Sequence, residues 1–306
     1  MTILVTGGTG MVGCALKNLI PNAKFVGSEF DLRDYRSTDV LFSLHEPYYV
    51  IHLAARVGGV KANSDNPASF YYDNIMMNTN VLEAARKYKA KKVVSFLSTC
   101  IFPDKVSYPI TEKQIHNGPP HPSNYAYAYA KRMLDIQSQA YRDQYGCNFV
   151  TAVPNNLFGE HDNFDLDNSH LIPAIIRKIY EAKNKNKDVT LWGDGKALRE
   201  FTYSTDLAKI VLLLLNKYDG REPINVGNTI EYSIKEVAEK ISKIMNFNGK
   251  IIWDTSQPNG QYKKPSNNSN LIKLGWKIED YTSFDVALEK TCHWFVDNYP
   301  NVRGVK

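Results

Sequence analysis

Apolar runs alternate with amphipathic stretches through the first half of the chain. Residues 2–6 read as a strand, 11–20 as a helix and 23–26 as a strand. A helical pattern over 38–45 precedes an apolar strand at 49–54. Helical periodicity then runs over 69–89, followed by a strand at 92–98, a helix at 125–145 and a strand at 148–154. Strands separated by helices predict βαβ units, a parallel sheet and right-handed crossovers. The second half is less regular. Helices are expected at 171–183, 204–215 and 283–299, with short strands at 189–192, 224–226 and 250–254. Ser233-x-x-Glu236 is a capping-box pattern that opens a further helix reaching Met245. The polar segment 258–270 reads as a flexible lid or clamp. A soft boundary near Gly159 divides the chain into 1–159 and 160–306, and some later elements are free to return to the first sheet.

Composition narrows the class. The 306 residues are 43% hydrophobic and 23% charged, as in ordinary globular proteins. No apolar run reaches the roughly 18 residues of a membrane span, so no membrane partner is expected. The N-terminus lacks a basic region followed by a long apolar stretch, so a secretory signal is not expected and a cytoplasmic location is. Cys14, Cys100, Cys147 and Cys292 are scattered without a C-x-x-C pair, which argues against structural zinc or a redox dithiol; no metal is expected. The net charge of +5 is spread along the chain. Nucleic-acid binders concentrate such charge, so an anionic small substrate is the better fit.

Two motifs carry chemistry. Gly7-Gly8-Thr9-Gly10-Met11-Val12-Gly13 joins the first strand to the first helix. Glycines let the backbone turn tightly and approach a pyrophosphate, and the helix N-terminus presents free N–H groups to it. A plain strand-to-helix turn is the alternative, weakened by the position at the chain start. After the second strand, Ser28 is placed to meet a 2′-phosphate, whereas Glu29 favours an unphosphorylated ribose; Arg33 and Arg36 lie downstream. The second motif is Tyr127-x-x-x-Lys131, which puts both side chains on one helix face. The lysine charge favours phenolate, and the tyrosine exchanges the proton of a carbonyl/alcohol pair. Ser98 ends the preceding strand and is placed to bond the same oxygen.

The G-x-x-G-x-x-G spacing, His52-Leu53-Ala54-Ala55 and Tyr127/Lys131 resemble the extended, sugar-nucleotide-modifying branch of the short-chain dehydrogenase/reductase family. The resemblance implies a Rossmann-type α/β fold, a doubly wound parallel sheet with a smaller C-terminal α/β substrate domain. Longer stretches are similar to the GDP-L-fucose synthase family: Arg56-Val-Gly-Gly-Val60, Ser98-Thr-Cys-Ile-Phe-Pro103, Ile115-His-Asn-Gly-Pro-Pro120, Gly159-Glu-His-Asp-Asn-Phe164, Asn168-Ser-His170 and Arg199-Glu-Phe201. That likeness implies NADP(H) as cofactor, GDP-4-keto-6-deoxy-D-mannose as substrate and a homodimer built by pairing the long helices. It further implies that Cys100 and His170 invert C3 and C5 before Tyr127 serves reduction at C4. The thiol and imidazole have reference pKa values of about 8.5 and 6.5, suited to proton exchange beside a ketone. By the same likeness Asn156 and His170 join Lys131 and the glycine turn around the cofactor. Asn156, Lys178, Trp192, Arg199 and Lys264 would hold the nucleotide diphosphate. Asn155 and Lys178 depart from the family's usual threonine and arginine.

Three rivals remain. A C4 epimerase has no need of Cys100 and His170. A dehydratase needs an acidic residue where Thr99 and Cys100 stand. A non-catalytic dinucleotide sensor loses the tyrosine or the lysine.

Overall fold

The computed structural model describes residues 1–256 and 262–305. Its centre is a six-stranded sheet in the order β2-β1-β3-β4-β5-β9, with every pair parallel. The strands are β1 (Ile3–Thr6), β2 (Lys24–Val26), β3 (Tyr49–His52), β4 (Lys92–Phe96), β5 (Phe149–Pro154) and β9 (Ile224–Val226). Both faces are covered, as a parallel sheet demands. On one face lie α2 (Tyr35–His45), α4 (Pro67–Lys87) and α5 (Tyr125–Tyr145), which bury Leu41, Phe42, Leu82 and Leu134. On the other lie α1 (Met11–Leu19) and α7 (Ser204–Lys217), which bury Leu16, Leu207, Val211 and Leu214. The chain leaves β1 for β2 on one side and returns to β3 on the other. That reversal is the topological switch point where such sheets bind ligands.

Most remaining elements form a second layer around Phe158, Ile176, Val237, Leu288 and Phe295. It holds α6 (Leu171–Asn184), α8 (Ile234–Ile244) and α10 (Phe284–Asn298). Beside these helices lie two small sheets. One is β10-β8-β6, from β6 (Asn156–Phe158), β8 (Leu198–Tyr203) and β10 (Glu231–Ser233); the other pairs β7 (Val189–Trp192) with β11 (Ile251–Asp254). The capping box at the head of α8 forms as expected, with Ser233 Oγ accepting from the Glu236 amide.

The regular first half matches the sequence pattern closely, and α5 spans the predicted residues. The differences have local causes. Helix α2 starts at Tyr35 because the Asp34 carboxylate caps the Arg36 and Ser37 amides. The periodicity gave no sign of the one-turn α3 (Val60–Asp65), of β6, of β8 or of α9 (Ser269–Lys273). In β8 the charged Arg199 and Glu200 mask the strand pattern; the buried Glu200 carboxylate accepts from Ser266 N and Oγ and from Asn155 Nδ2. Part of the expected lid lies outside the described residues, at 257–261. The part from 262 onward is stitched down: Leu198 N donates to Tyr262 O, Ile110 N to Pro265 O, and Asn267 N to Ile110 O.

His52, at the end of β3, is fully enclosed between Thr6 Oγ1 at 2.7 Å and Asn78 Oδ1 at 3.1 Å. Burial, with the Lys131 charge, pushes it down to about 3, while the Asn78 bond opposes the shift. The unfolded chain therefore takes up a proton below about pH 6.5 that the folded chain refuses until about 3. Stability should fall as pH drops through that window, by at most about 1.4 kcal/mol per pH unit from this group. Denaturant titrations of wild type and His52→Gln from pH 7 to pH 4 should show a shallower acid slope for the variant; parallel slopes would remove His52 as the cause.

Candidate active site

The glycine turn sits at the switch point. Gly7 has φ +70, and a Cβ there would come within 2.7 Å of the Ala54 amide nitrogen after β3. A Cβ on Gly13 would come within 2.5 Å of the Gly8 carbonyl oxygen, so α1 packs against the turn only with glycine there. Gly10 is the N-cap of α1 and offers no side chain to its amides, which leaves them to an anion. Thr9 is exposed beside them, and Met11 and Val12 open the helix. A pyrophosphate fits this cradle, and a side chain at Gly13 would push the turn away from the helix that completes it. At the neighbouring tip of β2, Ser28 is exposed and the Gly27 amide donates to both Glu29 carboxylate oxygens at 2.8 Å. The Glu29 carboxylate is thus folded back onto its own turn while remaining exposed, and Thr9 lies on the other side of Gly27.

The second group gathers at the carboxyl end of β4. Ser98 starts a one-turn 3-10 helix over Thr99–Ile101, and its Oγ accepts from the Cys100 amide at 3.3 Å. Tyr127 and Lys131 face it from the first turns of α5. Lys131 is 3% exposed, and its Nζ donates to the Phe96 carbonyl at 2.9 Å. Burial pushes it down to about 8. Tyr127 is 8% exposed and packs edge-on against Phe70, with ring centroids 6.3 Å apart. Burial holds its hydroxyl well above the usual phenol range; the adjoining Cys100 adds to this, and a hydrogen bond with Ser98 opposes it. The sequence reading had Lys131 promoting phenolate. Here the ammonium also donates to the Phe96 carbonyl, and the raised Tyr127 hydroxyl is protonated at neutral pH.

The remaining predicted residues close the cleft from the second layer. Arg199 on β8 and Lys264 on the stitched strap both interact electrostatically with Cys100; burial lowers both cations, and Lys264 is also lowered by Arg199. Neither forms a carboxylate salt bridge among the described residues. His170 directly precedes α6 without capping it. It is exposed, and the protein packed around it still lowers the imidazole from its ordinary value. The neighbouring Ser169 carbonyl would meet a Cβ on Gly59 at 3.0 Å, and Gly58 abuts Phe70. His170 is thus carried by a loop that leans on the Tyr127 wall. Asn156 on β6 donates to the Glu200 carbonyl at 2.9 Å. Lys178 and Trp192 pair off, with Nζ 5.8 Å from the ring centroid and Trp192 51% exposed. Sequence reasoning missed Phe70, which the helix pattern treats as ordinary core, and the anchoring role of Glu200, signalled only by a carboxylate inside an apolar strand.

The sequence profile of the NAD dependent epimerase/dehydratase family matches residues 3–227. The chain belongs to that family. A GDP-L-fucose synthase of Dictyostelium discoideum is 46% identical over 312 residues, covering 99% of this chain and 97% of its own. A probable GDP-L-fucose synthase of Drosophila melanogaster is 43% identical, covering 98% and 99%. The crystal structure of a GDP-L-fucose synthetase from Naegleria fowleri bound to NADP superposes with a TM-score of 0.92 at 42% identity, covering 99% of this chain and 94% of that one.

Lys264 feels Asp104 only at a distance and makes no close ion pair among the described residues, and a cation so held is costly until an anion arrives. Lys264→Met should leave the melting temperature of the ligand-free protein unchanged or raised. The same change should weaken GDP binding by about tenfold or more, the worth of one charge-assisted hydrogen bond. Calorimetric titration of GDP checks this; unaltered affinity would move the diphosphate away from Lys264.

Proposed function

We infer that this protein is a GDP-L-fucose synthase, which epimerises GDP-4-keto-6-deoxy-D-mannose at C3 and C5 and reduces it at C4 with NADPH. The observation that carries this reading is the meeting of Cys100 with Tyr127 and Ser98 in one cleft, under the cations Arg199 and Lys264. A simple C4 epimerase or reductase has no use for a thiol there. The full-length likeness to proteins named GDP-L-fucose synthase supports the same reading. So does the NADP-bound relative, whose fold this chain shares.

In this reading residues 1–159, with the returning α7 and β9, hold the dinucleotide, and the rest of 160–306 forms the substrate lobe. The turn amides and Gly13 accept the pyrophosphate, Ser28 lies nearest the 2′-phosphate, and Lys131 and Asn156 line the nicotinamide side. When bound, NADPH supplies the hydride. Arg199, Lys264, Lys178 and Trp192 hold the GDP end. The 4-keto group acidifies the protons at C3 and C5. Cys100 and His170 remove and return them from opposite faces, and an imidazole that lies below its ordinary value is largely neutral at pH 7 and able to accept one. Tyr127, its proton retained, then protonates the C4 oxygen while Ser98 bonds it. The four free thiols accord with a reducing cytoplasm. No helix of the described residues is long and apolar enough to cross a membrane.

The two chemistries should fail separately. Cys100→Ser should slow deuterium entry from solvent at C3 and C5 by about 10²-fold or more, because a hydroxyl is a far weaker acid than a thiol. Tyr127→Phe should still exchange those protons while NADPH consumption falls about 10²- to 10⁴-fold. NMR of products in deuterated water reads both steps, and wild-type product other than GDP-L-fucose would redirect the reading to another GDP-sugar reductase.

A homodimer is supported by α4 and α5, which pack against one another and leave Tyr71, Tyr72, Tyr125, Tyr129 and Ile136 exposed. Such a face suits pairing with a second copy into an intermolecular four-helix bundle. Light scattering at micromolar concentration should return twice the 34.7 kDa chain mass, and Tyr71→Glu with Tyr129→Glu should return it once. A monomeric wild type would sink the dimer.

A further inference from the structure

Arg132 follows Lys131 on α5 and is only 4% exposed. It makes no salt bridge to a carboxylate among the described residues, and its Nη2 has no partner there. Burying an unpaired guanidinium is costly, and an apolar side chain of similar length would avoid that cost. Something at this position therefore requires the cation. Its Nε donates to the Ile101 carbonyl at 2.6 Å, and its guanidinium lies over the Tyr129 ring, 5.3 Å from the centroid.

Ile101 is the last residue of the turn that carries Cys100. That turn is short and weakly bonded within itself. Ile101 N reaches Ser98 O at 3.0 Å, but Phe102 N reaches Thr99 O only at 3.4 Å. A single 3-10 turn does not hold its own geometry. Two side-chain bonds frame it. Ser98 Oγ accepts the Cys100 amide at its start, and Arg132 takes the Ile101 carbonyl at its end. Arg132 lies five residues beyond Tyr127, about 140° around the helix, so it meets the turn without entering the cleft.

We propose that Arg132 is a positioning residue that locks the Cys100-bearing turn to the helix carrying Tyr127 and Lys131, and so sets the thiol at its working place in the shared cleft. The proposal rests on the GDP-L-fucose synthase reading for the thiol's task, but not for the lock itself. A misplacement of about 1 Å is enough to cost on the order of 10²-fold in rate.

The test compares Arg132→Met, which removes the donor, with Arg132→Lys, which keeps a charge and one donor. Three quantities are read: deuterium entry at C3 and C5, the NADPH dissociation constant, and alkylation of Cys100 by iodoacetamide, with Cys14 as reference in the same digest. Arg132→Met should slow deuterium entry about tenfold to a hundredfold and change Cys100 alkylation at least fivefold relative to Cys14. Its NADPH affinity should stay within twofold of wild type, and Arg132→Lys should recover part of the loss. Should Arg132→Met fail to fold, Arg132→Gln, which removes the Nε donor and keeps a polar side chain, is read in the same way. Cys100 alkylation and exchange within twofold of wild type, or an equal loss of NADPH binding, overturns the proposal. Wild-type protein that exchanges nothing at C3 or C5 overturns the functional reading instead, and the alkylation result still decides the lock.

Discussion

The bond from Lys131 Nζ to the Phe96 carbonyl is the constraint on which the cleft depends. It joins a helix to the last residue of β4, deep in the protein, at 2.9 Å. An ammonium so buried must find an acceptor, and a carbonyl at a strand end has a lone pair free to accept. With α5 fixed in this way, Tyr127 lies one turn back along the same face. Ser98 follows Phe96 by two residues, so the serine, the tyrosine and the turn bearing Cys100 converge without any loop having to search for them. The same ammonium depresses His52 across the sheet, so the charge felt at β3 and the position of α5 are one feature.

The other wall of the cleft is built from polar burial rather than packing. Glu200 carries a carboxylate into a strand interior, where burial raises it and bonds from Ser266 and Asn155 lower it. Those bonds fasten the segment from 262 onward to β8, and Ile110 fastens the same segment to the loop beyond Cys100. Arg199 and Lys264 are thereby brought to the thiol from two elements far apart in sequence. Breaking one partner of such a network leaves an uncompensated buried charge, so its members act together.

The first half of the fold was legible because parallel strands buried on both faces read as apolar runs and their crossover helices keep a 3.6 period. The glycine turn and Tyr127/Lys131 were legible because spacing alone places them. The second layer was less so. Strand β8 hides behind Arg199 and Glu200, β6 is three residues long, and α3 is a single turn whose start is an uncapped Gly59. None of these has a period long enough to register. Cys100 and His170 came from likeness of motif, since no spacing rule connects a thiol to a histidine seventy residues on. Their surroundings became visible only when β8, the strap and the loop after Gly159 were placed. The sequence likewise shows a lysine four residues from Tyr127, but not the bond that holds that lysine to the Phe96 carbonyl.

In the reading proposed above, two proton-transfer reactions share one cleft, and the electrostatics bear on their order. A negative charge on Cys100 raises Tyr127, reinforcing what burial already does. While the thiol is ionised, the phenol therefore keeps its proton. Arg199 and Lys264 pull the other way on the sulfur, since each is stabilised as a cation by a negative Cys100. Burial alone disfavours both cations. Together they form a set in which thiolate and cations support each other and the tyrosine stays neutral. In that reading, the phenol therefore stays protonated in any step in which the Cys100 thiolate acts as base. Distance enforces this coupling, and distance is what the turn at Thr99–Ile101 and the strap at Lys264 maintain.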